Sequence, residues 1–173
     1  MMTQEIYVEN LNEVIRNKKL IEKKFNVKLK NKGKIIFIEG KAENEFKALS
    51  LMEAVNTGFS VDNSLKLTGE NIIFQKINIK DITKRKDLER IRARIIGTRG
   101  KTIKTLSDLT NCSISLNDNQ IGIIGDAEKI EEAIQSITSL IQGSKHGHIY
   151  NRLERQKRKN KNDDYDIDLD RLS

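Results

Sequence analysis

The sequence contains an internal repeat that limits what it can fold into. Residues 21–58 align without a gap with residues 106–143, displaced by 85 positions. Each copy reads as the end of a helix, an alternating strand, a polar turn, a second strand closed by glycine, and an amphipathic helix closed by glycine. Identical pairs include Asn26 with Asn111, Gly40 with Gly125, Ala42 with Ala127, Glu43 with Glu128, Ala48 with Ala133, and Gly58 with Gly143. The chain is therefore predicted to form two similar modules.

The segment RIIGTRGKT, residues 94–102, has a composition shared by two kinds of phosphate-binding loop. An ATP-binding loop of the form G-x-x-x-x-G-K-[ST] needs a glycine at position 95, which is Ile95, and it follows a buried strand. Here the preceding residues, LERIRAR, are charged and helix-periodic. What remains is the tetrad Gly97-Thr98-Arg99-Gly100, the G-x-x-G pattern with which KH domains hold about four nucleotides by their backbone.

The order of elements agrees with that interpretation. The alternating stretch at 72–79 predicts a strand, short helices flank the tetrad, and a hairpin and a helix with one apolar stripe follow. The prediction is an α+β protein of two packed type I KH domains, with three-stranded sheets and helices on one face. We expect a module without G-x-x-G at 1–69, ending in a helix capped by Ser60 or Asp62, and a second module with a basic C-terminal helix at 70–160.

Positive charge is concentrated in two segments of a chain whose net charge is +7. Residues 84–104 hold nine basic and two acidic side chains, and residues 143–162 hold seven and one. A polyanionic partner accounts for this better than a surplus kept for solubility. The chain has one cysteine, Cys112, and no long apolar run, which favours a cytoplasmic protein without a membrane span, a disulfide framework or a cysteine zinc site.

Candidate RNA-binding residues surround the tetrad. Glycine lets the backbone approach phosphate, and the helix beginning near Lys101 favours an anion at its start. Ile103 and, more weakly, Cys112 are further candidates for an apolar groove that receives bases, although each groove residue also suits a plain core position. In the first copy, residues 12–15 stand opposite the tetrad and lack glycine, so that module is predicted not to hold phosphate. The candidates near the tetrad are Arg92, Arg94, Ile96, Gly97, Thr98, Arg99, Gly100, Lys101, Lys104 and Ile114.

The C-terminal stretch is predicted to be a basic helix followed by an acidic, flexible tail at 161–173. His146, Arg152 and Arg155 are candidate RNA contacts, and a solvated basic helix is the alternative. His146 and His148 lack further ligands at metal-binding spacing, so no metal and no cofactor are expected. The tail could shield the basic surface when RNA is absent. Nothing in the sequence indicates a catalytic site.

Several stretches resemble the archaeal two-KH-domain ribosome-assembly proteins related to the eukaryotic partner-of-NOB and Krr-type factors. They are AVNTGFSVDNSLKL, RIIGTRGKTIKTLSDLTNCSISL, IGIIGDAEKIEEAI and LIQGSKHGHIYNRLERQKRK. The resemblance implies binding of single-stranded 16S rRNA near its 3′ end, help in pre-rRNA processing, and contact with the endonuclease that trims this end. Two alternatives remain open: a protein-interaction scaffold recruiting that endonuclease, or an RNA-binding subunit of a decay or transcription complex. A monomer suffices, because the duplication supplies both modules.

Overall fold

The computed structural model describes residues 3–172, which form two modules joined by a short connector. The modules share the order strand, helix, helix, strand, strand, helix, and the second has an additional short helix directly after its first strand. The first contains β1 (Gln4–Tyr7), α1 (Leu11–Arg16), α2 (Lys18–Phe25), β2 (Val27–Lys32), β3 (Ile35–Gly40) and α3 (Ala42–Asn56). The connector contains α4 (Val61–Ser64) and a 3-10 turn (Leu65–Thr68). The second module contains β4 (Ile72–Asn78), α5 (Ile79–Ile82), α6 (Leu88–Ile96), a 3-10 turn (Thr98–Gly100), α7 (Lys101–Thr110), β5 (Ser113–Asn117), β6 (Gln120–Asp126) and α8 (Ile130–Ile141), and α9 (His146–Leu172) follows.

Both sheets are three-stranded and antiparallel, with the orders β1-β3-β2 and β4-β6-β5. In each sheet the strand that is last in sequence lies in the middle. Alternate residues of that strand, such as Ile36 and Ile38 in β3 and Ile121 and Ile123 in β6, are at most 1% exposed and face the helices of their own module. The predicted α+β fold of two packed KH-type modules with a C-terminal helix is confirmed.

The repeated identities lie where the backbone or the packing allows little choice. Asn26 and Asn111 end α2 and α7 in the left-handed conformation, with φ of 52° and 54°. Gly58 and Gly143 follow α3 and α8 with φ of 102° and 103°. Asparagine and glycine tolerate positive φ better than other residues, which explains why both copies keep them at these positions.

The displacement of 85 residues does not extend to the turn before α2. Residues 12–15, aligned with the tetrad by sequence, lie inside α1 rather than in a loop. The structural equivalent of the tetrad is the junction of α1 and α2 at Asn17, whose φ is −103°. The predicted absence of G-x-x-G in the first module holds, but the alignment at this point was wrong because the first module is shorter before α2.

The outer face of the second sheet packs against the first module. Ser115 donates a hydrogen bond from its hydroxyl to the Thr57 carbonyl at 3.0 Å. A Cβ built on Gly122 would lie 2.2 Å from Thr57 Oγ1 and 2.9 Å from the Phe59 ring. Ile124, on the same strand, is 2% exposed and belongs to the core of the first module. The two modules therefore share a close-packed boundary.

The connector and the C-terminal segment complete the fold. Ser60 Oγ accepts a hydrogen bond from the Asn63 N–H at 3.2 Å, so Ser60 is the cap of α4. The expected boundary at residue 161 is absent: α9 continues through the acidic residues to Leu172, and its side chains are exposed from residue 154 onward. Mobility of this segment stays a prediction. Among residues 3–172, no helix has the length and apolar character needed to cross a membrane.

Candidate nucleic-acid interface

The G-x-x-G loop, residues 97–100, has a backbone that requires its glycines. Gly97 has φ 76° and ψ 176°, a region that is essentially restricted to glycine. A Cβ there would also lie 2.2 Å from Thr102 Oγ1. Gly100 has φ 74°, but a Cβ there would meet only Ile103 Cγ2, at 4.0 Å. Gly97 is thus needed for the turn itself, whereas Gly100 leaves open space beside the start of α7.

The loop is exposed, and it borders an open cleft. The side chains of Thr98 and Arg99 are exposed, and a cleft of about 510 Å³ lies between α6, the start of α7 and the start of α9. The residues that line this cleft are Arg90, Ala93, Arg94, Gly97, Thr98, Lys101, Thr102, His146 and Tyr150. No acidic residue lies in the first turn of α7, so the positive end of the helix dipole and the basic side chains all favour an anion.

Two of the predicted RNA contacts, Arg94 and His146, also join the helices that border the cleft. Arg94 donates from Nη1 to the Leu140 carbonyl at 2.9 Å and from Nη2 to the Ser144 carbonyl, which ties α6 to the end of α8. His146 Nε2 donates to the Arg94 carbonyl at 3.0 Å. The His146 ring meets Tyr150 edge-on, with centroids 6.2 Å apart. These contacts fix the wall of the cleft, which Arg90 and Lys101 also line, and Arg99 is exposed on the adjoining loop.

Other predicted residues lie away from the cleft. Arg92 donates to Asn119 Oδ1 at 2.6 Å and lies 3.6 Å from the Asp118 carboxylate, at the β5–β6 turn. Arg152 donates to Ser136 Oγ on α8 at 3.1 Å, and Arg155 bonds the carbonyl one turn earlier in α9. The structure therefore does not bring Arg92, Arg152 and Arg155 together with the G-x-x-G loop. Their spacing in sequence gave no information on which face of each helix they occupy.

The candidate groove residues do not line the cleft beside the loop, and two of them, Cys112 and Ile114, line a separate cavity of about 400 Å³ between α7 and the connector. Ile96 is 39% exposed, and Ile103 is half-buried. Ile114 is half-buried and packs against the second core. Cys112 is 4% exposed, and a Cβ on Gly125 would lie 2.5 Å from its sulfur. Burial raises the pKa of the Cys112 thiol, so this residue belongs to the core and not to a reactive site.

Sequence reasoning missed four residues that line the cleft, which are Arg90, Ala93, Thr102 and Tyr150. Helical spacing could have found Arg90 and Tyr150, because Arg90 precedes Arg94 by one turn of α6 and Tyr150 follows His146 by one turn of α9. Lys104, which was predicted, is exposed on α7 but does not line the cleft. Within the described part of the chain, no three histidine, cysteine or acidic side chains are grouped as metal ligands.

Comparison with known proteins places the second module in a family. Residues 73–158 match the second KH domain of PNO1, a eukaryotic-type KH domain of type I. The KH domain-containing protein MJ0443 of Methanocaldococcus jannaschii is 29% identical over 147 residues, covering 81% of this chain and 65% of that protein. The pre-rRNA-processing protein PNO1 of Saccharomyces cerevisiae is 34% identical over 110 residues, covering 62% of this chain and 40% of that protein. The chain thus spans less than two thirds of these relatives.

Solved structures agree over nearly the whole chain. Dim2p from Pyrococcus horikoshii is 28% identical, with a TM-score of 0.82 over 90% of this chain and 99% of that one. A complex of a/eIF2alpha, aDim2p and rRNA from the same organism contains a chain with a TM-score of 0.83, again 28% identical, over 91% of this chain and 95% of that one. The second module therefore belongs to the PNO1-type KH domains, and the chain as a whole is similar to Dim2p.

Proposed function

We propose that this protein binds single-stranded RNA through the G-x-x-G loop of its second module, and that this RNA is 16S rRNA near its 3′ end. The observation that carries the proposal is the exposed loop itself. Gly97 and Gly100 both have positive φ, and Arg99 and Lys101 lie beside the open cleft. Bare backbone, a helix start and exposed cations suit a sugar-phosphate chain, which carries one negative charge per nucleotide.

The identity of the RNA is supported by the relatives. The name of the yeast relative describes a pre-rRNA-processing protein, and aDim2p of Pyrococcus horikoshii crystallised with rRNA. By this proposal the protein assists pre-rRNA processing in the cytoplasm and is not itself an enzyme, since His146 in the cleft bonds the Arg94 carbonyl rather than the hydroxyl of Thr98 or Thr102. A maturation endonuclease is the proposed protein partner, and one copy of the chain supplies the whole binding surface.

A scaffold that recruits proteins is the second candidate. The observation in its favour is the presence of a/eIF2alpha beside aDim2p in the Pyrococcus horikoshii complex. The two candidates differ in whether RNA affinity depends on the loop. A scaffold would keep its function when phosphate is excluded from residues 97–100.

The test uses a matched pair of variants at Gly100. Aspartate and asparagine have nearly the same shape, both tolerate the left-handed backbone, and neither would collide with a neighbour there. Gly100→Asp places a carboxylate where phosphate is proposed to lie, whereas Gly100→Asn does not. We expect Gly100→Asp to weaken binding of a short single-stranded RNA at least about tenfold more than Gly100→Asn, which corresponds to about 1.4 kcal/mol.

Equal affinities for the two variants would contradict the RNA-clamp proposal and favour the scaffold. Gly97 is less suitable for this test, because any side chain there collides with Thr102 and disturbs the turn. Crosslinking in cells followed by sequencing of the bound RNA tests the second part of the proposal. Reads concentrated near the 3′ end of 16S rRNA are expected, and a spread over messenger RNA would favour a decay or transcription complex.

A further inference from the structure

The free edge of the first sheet carries a row of lysines. The sheet order β1-β3-β2 gives β2 a partner strand on one side only. Lys28, Lys30 and Lys32 of this strand are exposed and alternate with Val27 and Leu29, which are buried. The three lysines therefore share the outer face of the sheet, about 6.8 Å apart at about 3.4 Å per residue. They are called the lysine row below.

The lysine row distinguishes β2 from the other sheet edges. Among residues 3–172, the three other edge strands, β1, β4 and β5, contain at most one lysine each. Lysines on an edge strand keep other strands from pairing with it, because they would have to approach one another or be desolvated. The edge of β2 therefore disfavours an ordinary strand, and it favours a strand that carries carboxylates at the same spacing.

The acidic end of α9 has that spacing. Residues 164–169, DYDIDL, alternate aspartate with a large apolar residue, and a period of two is typical of a strand. As a helix this alternating segment buries nothing: Tyr165, Ile167 and Leu169 are 70%, 54% and 65% exposed. Two residues turn a helix by about 200°, so Tyr165 and Ile167 lie on opposite sides. Helices without tertiary packing are marginally stable in water, so this segment can change conformation at little cost.

We propose that the alternating segment of one copy of this chain pairs with the edge of β2 in a second copy as an added strand. The segment and β2 are both six residues long. In this pairing the aspartates lie on the outer face opposite the lysine row, and the apolar side chains lie on the inner face beside Val27 and Leu29. Opposite charges directly across two strands attract, and the added backbone supplies hydrogen bonds. The inference does not rest on the proposed RNA binding.

The edge of β2 already bonds a group from outside the sheet. The Leu29 N–H donates to the Glu22 carboxylate of α2 at 2.9 Å. Glu22 thus occupies a position at which a carbonyl of the added strand would accept, and the pairing displaces it. Lys30 Nζ bonds Glu39 of β3 at 3.1 Å, and its remaining donors are available to an aspartate, since an ammonium has three.

The course of α9 favours an edge on another molecule. Leu153 is the last buried residue of this helix, and the residues that follow are exposed. At 1.5 Å per residue, residues 154–172 extend about 28 Å beyond Leu153. The alternating segment is therefore held away from the module to which it is attached, where a second copy can reach it.

The test exchanges charges between full-length chains. One variant carries Lys28→Glu, Lys30→Glu and Lys32→Glu, and the other carries Asp164→Lys, Asp166→Lys and Asp168→Lys. Sedimentation velocity at low salt, over a range of concentrations, measures self-association. The unaltered chain should associate, and each variant alone should associate at least about tenfold more weakly, because like charges then face each other. An equimolar mixture should regain association, since each edge then meets a segment of opposite charge. This recovery also shows that both variants fold.

Matched controls separate strand pairing from general attraction. Changing Lys80, Lys84 and Lys86 to glutamate alters the net charge as the lysine-row variant does, and it should change association less than about twofold. The double variant Asp166→Ile with Ile167→Asp keeps the composition but breaks the alternation, so it should weaken association about tenfold.

Glu22 provides a further matched pair of variants. Glu22→Ala and Glu22→Gln both remove the charge, but only glutamine can still accept from the Leu29 N–H. Association should therefore be about threefold stronger for the alanine variant.

Three results would overturn the inference. They are a monomer at every concentration up to about 1 mM, no recovery in the mixture, and full association after the exchange of residues 166 and 167. Gly100→Asp, which tests RNA binding, should leave self-association unchanged. Failure of the RNA clamp and failure of the strand pairing are therefore distinguishable.

Discussion

The two modules share a fold but differ at one turn, which lies between α1 and α2 in the first module and between α6 and α7 in the second. In the second module this turn has two glycines with positive φ and opens onto a basic cleft. In the first it is a single residue, Asn17, whose side-chain amide donates to the Glu13 carbonyl at 2.8 Å. The Glu13 carboxylate in turn accepts from the Val61 N–H at 3.0 Å. The first module uses this region to hold the connector, whereas the second leaves it open for a ligand.

The outer faces of the two sheets also differ, because the outer face of the second sheet is covered by the other module and that of the first sheet is not. Phe37 lies on the outer face of β3, and Gly122 occupies the equivalent position of β6. Glu39 similarly corresponds to Ile124. The first sheet has an uncovered outer face, on which Lys30 pairs with Glu39 at 3.1 Å. The second sheet has a smaller and an uncharged residue at these positions because the first module packs there. The first module therefore stabilises the second, and the second contains the proposed binding site.

The largest predicted effect is on the free energy of unfolding, when threonine is placed at each of the equivalent positions 37 and 122. Gly122→Thr introduces a Cβ that would lie 2.2 Å from Thr57 Oγ1, and overpacking of this kind costs about 3 kcal/mol of unfolding free energy at its upper range. Phe37→Thr changes an open sheet face and should cost no more than about 1 kcal/mol. Urea denaturation monitored by circular dichroism measures both. Equal losses for the two variants would show that the modules do not pack through this face.

Much of the architecture could be predicted because the constraints are local. Asn26 and Asn111 mark the ends of α2 and α7, and Gly58 and Gly143 mark the ends of α3 and α8, since positive φ restricts the residues that fit. The G-x-x-G loop was found for the same reason. Such positions leave a signature that a single sequence reveals, even when few other residues of the two copies are identical.

The rest of the site depends on which side of a helix faces which neighbour. Arg92 and Arg94 are two residues apart, yet Arg92 bonds Asn119 at the hairpin turn and Arg94 bonds the end of α8. The cavity of about 400 Å³ between the connector and α7 was predicted only in part. Cys112 and Ile114, which line it, were candidate groove residues, but Asn63 and Lys66 are some forty residues away in sequence and meet them only when the modules pack. The continuous course of α9 through alternating aspartates was also missed, since acidic composition alone was taken to indicate a flexible tail.

Lysines at the starts of the equivalent helices α2 and α7 allow a test of whether RNA binds at the second module only. Lys101 and Lys104 lie in the first turn of α7, and Lys18 and Lys19 lie at the start of α2. Replacing both lysines of α7 by glutamine should weaken RNA binding about tenfold. It should also reduce the slope of log affinity against log salt by about 1.4, because each phosphate contact on a single strand contributes about 0.7.

The corresponding double variant of α2 should change affinity less than about twofold and leave the salt slope nearly unchanged. Both double variants remove the same formal charge, so a uniform electrostatic attraction would affect them equally. Equal slopes for the two variants would therefore argue that RNA binds by overall charge rather than at the second module. The measurement is a series of binding titrations over a range of salt concentrations.

The smallest predicted effect concerns the segment that follows each module. After Gly58 the chain enters the short connector, whereas after Gly143 it continues into α9, whose basic residues precede five aspartates. Deleting residues 163–173 removes those aspartates from beside the basic face. We expect RNA affinity to rise two- to threefold at low salt, an order-of-magnitude figure for exposed charges. The increase should vanish near physiological salt, where the screening length is about 8 Å. A full-length control with the five aspartates changed to asparagine should behave as the deletion does, because the expected cause is charge and not helix length. Unchanged affinity at low salt would rule out shielding by the acidic segment.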